Sequence, residues 1–228
     1  MRVIEVRRFA VKSLRGERPS TVEVEPRGLV GDRLWAVRDA DGKLGSGKNT
    51  RRFRRMPGLL DLEAAHGDPV PTVVLPDGRR FAADDPAGHA ALSALLGRPV
   101  TIAREDAVRH HDEGPVSVIT TAALRALPVD AEAERFRANL LVDVPGVGFP
   151  EDDWLGRELH VGDGVILRPE RPLTRCVMVD MAQGPLRERG DVLKAVAAHH
   201  DLTFGVWASV VHSGRIAVGD AVRLSASR

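Results

Sequence analysis

Thr72-Val73-Val74-Leu75-Pro76-Asp77-Gly78-Arg79-Arg80-Phe81 reads as two short strands joined by a tight turn. β-Branched residues favour a pleated strand, and Asp-Gly supplies the positive backbone torsions of a two-residue hairpin turn. The pattern repeats upstream. Asp41-Gly42 follows Leu34-Trp35-Ala36-Val37-Arg38, which is fed by the turn Gly28-Leu29-Val30-Gly31-Asp32-Arg33. Thr21 to Val24 and Leu60-Asp61-Leu62-Glu63-Ala64 are further short strands. Val3 to Val11 alternates and ends at Lys12-Ser13-Leu14-Arg15-Gly16. Together these segments predict a twisted, antiparallel, barrel-like sheet.

Downstream, Gly205 to Val211 and Ile216 to Leu224 return to strand character. Val161-Gly162-Asp163 and Val218-Gly219-Asp220 read as tight turns ahead of strands. Helical signals are few. Asp85-Pro86 precedes Ala87 to Leu96, a stretch closed by Gly97, with Pro at the first helical position. Thr120 or Thr121 caps Ala122 to Ala126, Ala131 to Phe136 gives a turn or two, and Asp191 to His200 carries apolar residues at helical spacing. The expected fold class is mainly β (α+β). A composition shift around Phe81 to Ala90 divides it into a β-barrel-like unit, 1–88, packed on a β-rich unit with a few short helices, 89–228.

Composition excludes several classes. The 228 residues are enough for a substantial core, with 43% hydrophobic and 29% charged residues. Net charge is +1, so no global field steers the chain toward nucleic acid or membrane. The chain has no Tyr and few aromatics, which argues against a base-stacking surface. No apolar run approaches the ~20 residues of a spanning helix, and the N-terminus has no signal-peptide core. A single Cys and no export signal point to the cytoplasm. The basic run Lys48 to Arg55 contains no acid; it reads as a solvated loop or a phosphate-facing one.

The single cysteine, Cys176, ends Arg171-Pro172-Leu173-Thr174-Arg175-Cys176. One thiol forms no intramolecular disulfide and no all-cysteine metal site. It is a buried inert group, a nucleophile, or one soft ligand to a metal held by other groups. Arg175 and Arg171 are cations that favour a thiolate. Other polar residues also fall at strand ends: Lys12 and Ser13, Arg33, the Asp112-to-Ser117 stretch around Pro115, and Arg137 with Asn139. In an extended segment Arg137 and Asn139 share a face, where guanidinium and amide together grip an anion. Each residue alone reads as loop polarity or turn capping. Jointly they suggest an anionic ligand held by Lys12, Arg33, Arg137 and Arg175, with Cys176 at its reactive centre. His110-His111 and His199-His200 read as turn or surface residues, because neighbours on a strand face opposite ways. Gly45-Ser46-Gly47-Lys48-Asn49-Thr50 lacks Walker spacing and reads as a flexible loop with a basic tip. A Cys176–His212–Asp180 hydrolase has no local signature.

The ordered set of motifs resembles the MOSC family, the fold of the molybdenum-cofactor sulfurase C-terminal domain. Phe9-Ala10-Val11-Lys12-Ser13-Leu14-Arg15-Gly16 and Gly31-Asp32-Arg33-Leu34-Trp35 look like the β-barrel domain that precedes many MOSC domains. Asp112-Glu113-Gly114-Pro115-Val116-Ser117-Val118-Ile119-Thr120 resembles the family's opening strand. Glu134-Arg135-Phe136-Arg137-Ala138-Asn139-Leu140-Leu141-Val142 is close to its Arg-x-Asn motif, and Arg175-Cys176 to its cysteine motif. Trp154-Leu155-Gly156, Val161-Gly162-Asp163 and Phe204-Gly205-Val206-Trp207 through Asp220 fit the remaining strands. The nearest functional branch is the amidoxime-reducing component type.

The resemblance implies a molybdenum cofactor (Mo-molybdopterin) with Cys176 as the protein thiolate on the metal. It implies a pocket lined by Lys12, Ser13, Arg33, Gly114, Pro115, Arg137, Asn139, Thr174, Arg175 and Trp207. One thiolate suits a centre whose other sulfurs come from a dithiolene, and the cofactor phosphate needs cations. The expected activity is reduction of N-oxygenated small molecules. Without its own cysteine cluster, the chain would take electrons from a separate donor protein of flavin, iron–sulfur or haem type. A non-redox cofactor carrier or sensor, a sulfur carrier working through a Cys176 persulfide, and a structural descendant with an inert Cys176 are the alternatives. Two features depart from the reductase branch: Val177-Met178-Val179-Asp180 lacks its Thr-rich continuation, and Gly47-Lys48-Asn49-Thr50 replaces an Arg-centred motif.

Overall fold

The computed structural model describes residues 1–107 and 109–226. The fold is mainly β. Its largest element is a seven-stranded sheet in the order Arg2–Val6, Leu140–Asp143, Val116–Thr120, Thr203–His212, Val165–Thr174, Leu159–Val161, Val222–Leu224. Neighbours are antiparallel except Val116–Thr120 beside Leu140–Asp143. The two outer strands meet, because Arg2 bridges Ala221 and the Val3 amide donates to the Asp220 carbonyl at 2.9 Å. The sheet therefore nearly closes on itself, which leaves little unpaired edge. Val3, Val118, Leu140, Val206 and Leu167 fill its interior. Each such side chain contributes roughly 1.5–3 kcal/mol of burial.

The smaller barrel-like part centres on Trp35–Asp39. Val100–Arg104 flanks it antiparallel and Val11–Lys12 parallel, and Leu44–Ser46 and Phe53–Arg55 continue the sheet. Thr72–Val74 and Arg80–Ala82 make the Asp77-Gly78 hairpin, with Glu63–Ala65 alongside. Strands cross between the two parts of the chain. Arg2–Val6 joins the large sheet, Val100–Arg104 joins the small one, and Thr21–Glu25 pairs with Gly214–Ala217.

Three α-helices decorate these sheets: α1 (Pro86–Leu96), α2 (Thr121–Ala126) and α3 (Val192–His200). The Asp85 carboxylate accepts from the Ala87 amide at 2.9 Å, and Gly97 ends α1 in the left-handed conformation that costs glycine least. Thr120 caps α2 through the Ala123 amide at 3.0 Å. One element differs from expectation. Leu60-Asp61 is not strand; Leu59–Asp61 is a 3-10 turn entered through Gly58 at φ 89°, so both leucines bury instead of alternating. Ala133–Phe136 is a single 3-10 stretch. Among the described residues, no helix is long and apolar enough to cross a membrane.

Candidate functional site

A cavity of about 110 Å³ opens where the end of Val11–Lys12, the stretch at Phe136-Arg137 and the end of Val165–Thr174 converge. It gathers Lys12, Ser13, Arg33, Arg137, Thr174, Arg175, Cys176 and Trp207. Cys176 follows the ten-residue strand Val165–Thr174 and starts the 3-10 turn Val177–Val179. It is partly exposed, unlike the fully buried thiol of an ordinary core.

The cations are held in unusual ways. Arg175 donates Nη1 to the Phe136 carbonyl at 2.7 Å and Nε to that of Phe204 at 2.8 Å. Arg137 donates Nη2 to the Leu14 carbonyl at 2.6 Å and lies 4.3 Å from the centre of the Phe9 ring. Neither guanidinium forms an ion pair with a carboxylate among the described residues. Burial pushes both down to about 9, with Arg33 adding repulsion at each, yet both remain cations at neutral pH.

Arg33 is instead paired, with Nη1 2.5 Å from Asp32, and its Nη2 donates to the Arg137 carbonyl at 2.9 Å. Burial works to raise the Asp32 carboxyl. Arg33, His111 and the Phe9 amide overcome it and hold the group well below the usual carboxylate range. Lys12 sits 2.7 Å from Asp112, and burial pushes it down to about 8 against the pull of that carboxylate. Ser13 donates its hydroxyl to the Gly45 carbonyl at 2.9 Å.

Backbone strain concentrates here. Among the described residues, five non-glycine residues have positive φ, and three of them are Ser13 (66°), Arg33 (50°) and Arg137 (51°). Left-handed backbone costs an L-residue roughly 1–2 kcal/mol, so the surrounding structure must impose it.

Three expected lining residues, Gly114, Pro115 and Asn139, are not among those that line the cavity. Asn139 is buried, with its carboxamide oxygen accepting from the Ser117 amide (3.1 Å) and hydroxyl (2.8 Å) and its NH₂ donating to the Arg7 carbonyl (3.2 Å). Its carboxamide braces strands. The expected shared face of Arg137 and Asn139 is not formed, because Arg137 is left-handed and not extended. Gly114 lies against Trp207, whose Cβ and ring leave a side chain at 114 only 3.2–3.4 Å. The Pro115 carbonyl would come 2.3 Å from a Cβ at Gly28.

Other sequence expectations are corrected. His110 and His111 are buried, not surface residues. His110 Nε2 is 3.0 Å from Arg38 Nη2, and burial, helped by Arg38, pushes it down to about 4. His111 Nε2 is 3.7 Å from Asp32. His200 stacks on Phe149 at 3.9 Å and pairs with Asp152 at 2.7 Å. The hydrolase triad is not assembled: His212 binds the Gly164 carbonyl, and Asp180 accepts from the Val192 amide that opens α3. Residues 45–50 are not a free loop. Leu44–Ser46 is a buried strand, and Ser46 and Lys48 line the cavity. Met178 also lines it, with Sδ 3.8 Å from the Ser46 hydroxyl. Only the glycines around Ser46 hinted at this packing, and Met178 carried no local signal.

The comparisons with known proteins agree with this geometry. Residues 100–223 match the model of the MOSC domain, and residues 1–91 match that of the MOSC N-terminal beta barrel domain. The crystal structure of the YUAD protein from Bacillus subtilis is 13% identical, with a TM-score of 0.53, covering 100% of this chain and 96% of that one. The fold is thus shared well beyond recognisable identity. YiiM from Geobacillus stearothermophilus is 19% identical over 50% of this chain and 55% of its own, with a TM-score of 0.37. No curated protein matches the sequence.

Proposed function

This chain belongs to the MOSC domain family, and from that premise we propose that it binds the molybdenum cofactor through Cys176 and reduces N-oxygenated small molecules with electrons from a separate donor protein of flavin, iron–sulfur or haem type. The family as a whole is associated with molybdenum-cofactor proteins.

One observation carries the reading. A partly exposed lone thiol shares its cavity with two part-buried guanidiniums that have no carboxylate partner among the described residues, and Trp207, which also lines it, has a buried indole N–H without an acceptor. Buried charge and unpaired N–H cost free energy unless a ligand compensates them. An anionic cofactor rich in heteroatoms supplies both, so the residues fit the group. Cys176 provides one soft donor, which suits molybdenum. Lys12 and Arg33 lie together to take the cofactor phosphate, and Arg137 and Arg175 balance its remaining charge. Trp207 donates one hydrogen bond, while Gly114, Pro115 and Asn139 shape and brace the wall. When bound, the metal would supply oxygen-atom acceptance and two-electron redox chemistry.

The division at residue 88 belongs to the same proposal. Lys12, Ser13 and Arg33 come from 1–88, and Arg137, Arg175, Cys176 and Trp207 from 89–228. So does a cytoplasmic location, which suits an unpaired thiol.

The test is molybdenum analysis of the wild type and Cys176→Ala, purified from a host that makes the cofactor. It is followed by benzamidoxime turnover with reduced viologen. Near-stoichiometric metal in the wild type alone, with turnover, is the expected result. Metal without turnover would leave a carrier, and no metal in either protein would overturn the proposal.

A further inference from the structure

The cavity contains two lysine– or arginine–carboxylate pairs of contrasting construction. Asp32 is fully buried, accepts from the Phe9 amide at 2.8 Å as well as from Arg33, and has His111 beside it. It is fixed in place. Asp112 is different. Its side chain is 47% exposed, and among the described residues its one hydrogen bond is the 2.7 Å contact with Lys12, reached from 100 residues away in sequence. Lys12 Nζ likewise has Asp112 as its one hydrogen-bond partner among the described residues, and lies 5.0 Å above the Phe53 ring. The lysine side chain is only 5% exposed, so its charge depends on whatever anion stands there.

We infer that Asp112 is an internal anion that occupies Lys12 until a ligand phosphate replaces it, and so admits only anions that bind the lysine better than a carboxylate does. The inference rests on the cavity's being an anion site, as proposed above, and goes beyond it by assigning the residue that sets the affinity threshold. The exchange is cheap on the protein side. One charge-assisted hydrogen bond breaks, and a half-exposed carboxylate swings into water without leaving a buried charge behind. A phosphate dianion gains more at Lys12 and Arg33 than Asp112 forfeits. A weak monoanion, such as chloride, replaces like with like and gains nothing. Asp112 thereby keeps the site clear of common salts while leaving it open to a phosphomonoester. Asp32 cannot act this way, since its removal from Arg33 would strand a fully buried charge.

The test is sulfate binding to the cofactor-free full-length chain at pH 6 and fixed ionic strength, by calorimetry. Sulfate is a dianion there, and Lys12 is protonated. Asp112→Asn should tighten sulfate binding about 10-fold, whereas Asp112→Glu, which keeps the carboxylate, should stay near wild type. The gain should vanish in a Lys12→Met background, because a double-mutant cycle isolates the pair from the general effect of removing a negative charge. Equal or weaker binding by Asp112→Asn would overturn the inference, as would the same gain without Lys12 or no sulfate binding by either protein. Molybdenum content of the wild type decides the cofactor proposal separately, so either can fail while the other stands.

Discussion

Two cavities meet at Arg137, and they treat charge in opposite ways. On one side lies the Cys176 cavity, where Arg137 and Arg175 have no carboxylate partner. On the other lies a larger cavity of about 250 Å³, lined by Arg7, Arg15 and Arg18 among others. There every one of these arginines has a glutamate: Arg7 pairs with Glu5, Arg15 with Glu63, and Arg18 with both Glu5 and Glu134. Paired charges clamp segments together, although Arg7 Nε and Arg15 Nε still have no hydrogen-bond acceptor. Unpaired buried charges are costly in the empty protein and are therefore the better sign of a binding site.

The comparison can be broken most directly at Arg7. Its side chain is 5% exposed, and Arg7→Met would leave Glu5 with Arg18 alone and free the Ala133 carbonyl that Arg7 also binds. We expect a loss of about 2–3 kcal/mol in urea unfolding, with sulfate affinity at the Cys176 cavity unchanged. A harmless Arg7→Met, or one that weakens sulfate binding, would erase the distinction between the two cavities. Arg137→Met should behave in reverse. Loss of a charged donor should weaken sulfate about 100-fold. Stability of the cofactor-free protein should change by less than about 1 kcal/mol, because the part-buried cation without a carboxylate is removed together with its bond to the Leu14 carbonyl. A fall in stability comparable with that of Arg7→Met would show that Arg137 is a clamp too.

Much of this was legible in the sequence, and the limits are physical. Asp85-Pro86 and Gly97 marked the ends of α1 because capping is local chemistry. Lys12, Arg33, Arg137, Arg175 and Cys176 stood out as polar residues at strand ends, which is where a β-rich fold brings loops together. The pairing state of those cations was not legible. Asp32 meets Arg33 as a chain neighbour, but Asp112 reaches Lys12 across 100 residues, and Asn139 is buried just after Arg137 takes a left-handed torsion. His110 and His111 misled for the same reason: alternation predicts faces within a strand, and these residues lie outside one. Residues 45–50 misled because a buried strand of glycine and serine has a loop's composition.

A buried acid behind the site sharpens the comparison from the other sign. Glu151 is fully buried, accepts from the Thr120 hydroxyl at 2.7 Å, and leaves Oε1 without a partner. Burial pushes it up to about 7. The folded state therefore binds more protons than the unfolded one between the two values, and stability falls as pH rises through that window. The contribution is fully present below about pH 4.5 and lost above about 7. Urea unfolding at a series of pH values should show a decline of roughly 2 kcal/mol across this range that Glu151→Gln removes. An unchanged slope in the variant would mean that the acid is compensated after all.

The smallest effects come from the two glycines that press on the cavity walls. A Cβ at Gly184 would stand 2.3 Å from Arg15 Nη1, at a φ of +57° that side chains resist. Arg15 would have to give up its place beside Glu63, so Gly184→Ala should cost about 1–2 kcal/mol. A Cβ at Gly47 would meet Met181 Sδ at 2.5 Å and Met178 Cγ at 2.9 Å, with no adverse torsion. Methionine has three soft torsions and repacks readily, so Gly47→Ala should cost less than about 1 kcal/mol. The displacement instead moves Met178, which lines the Cys176 cavity. Thermal melts of the two variants should therefore rank Gly184→Ala as the less stable, while ligand binding is altered in Gly47→Ala alone. The opposite ranking would mean that the wall beside the thiol is the rigid one, and that the paired arginines have room to move.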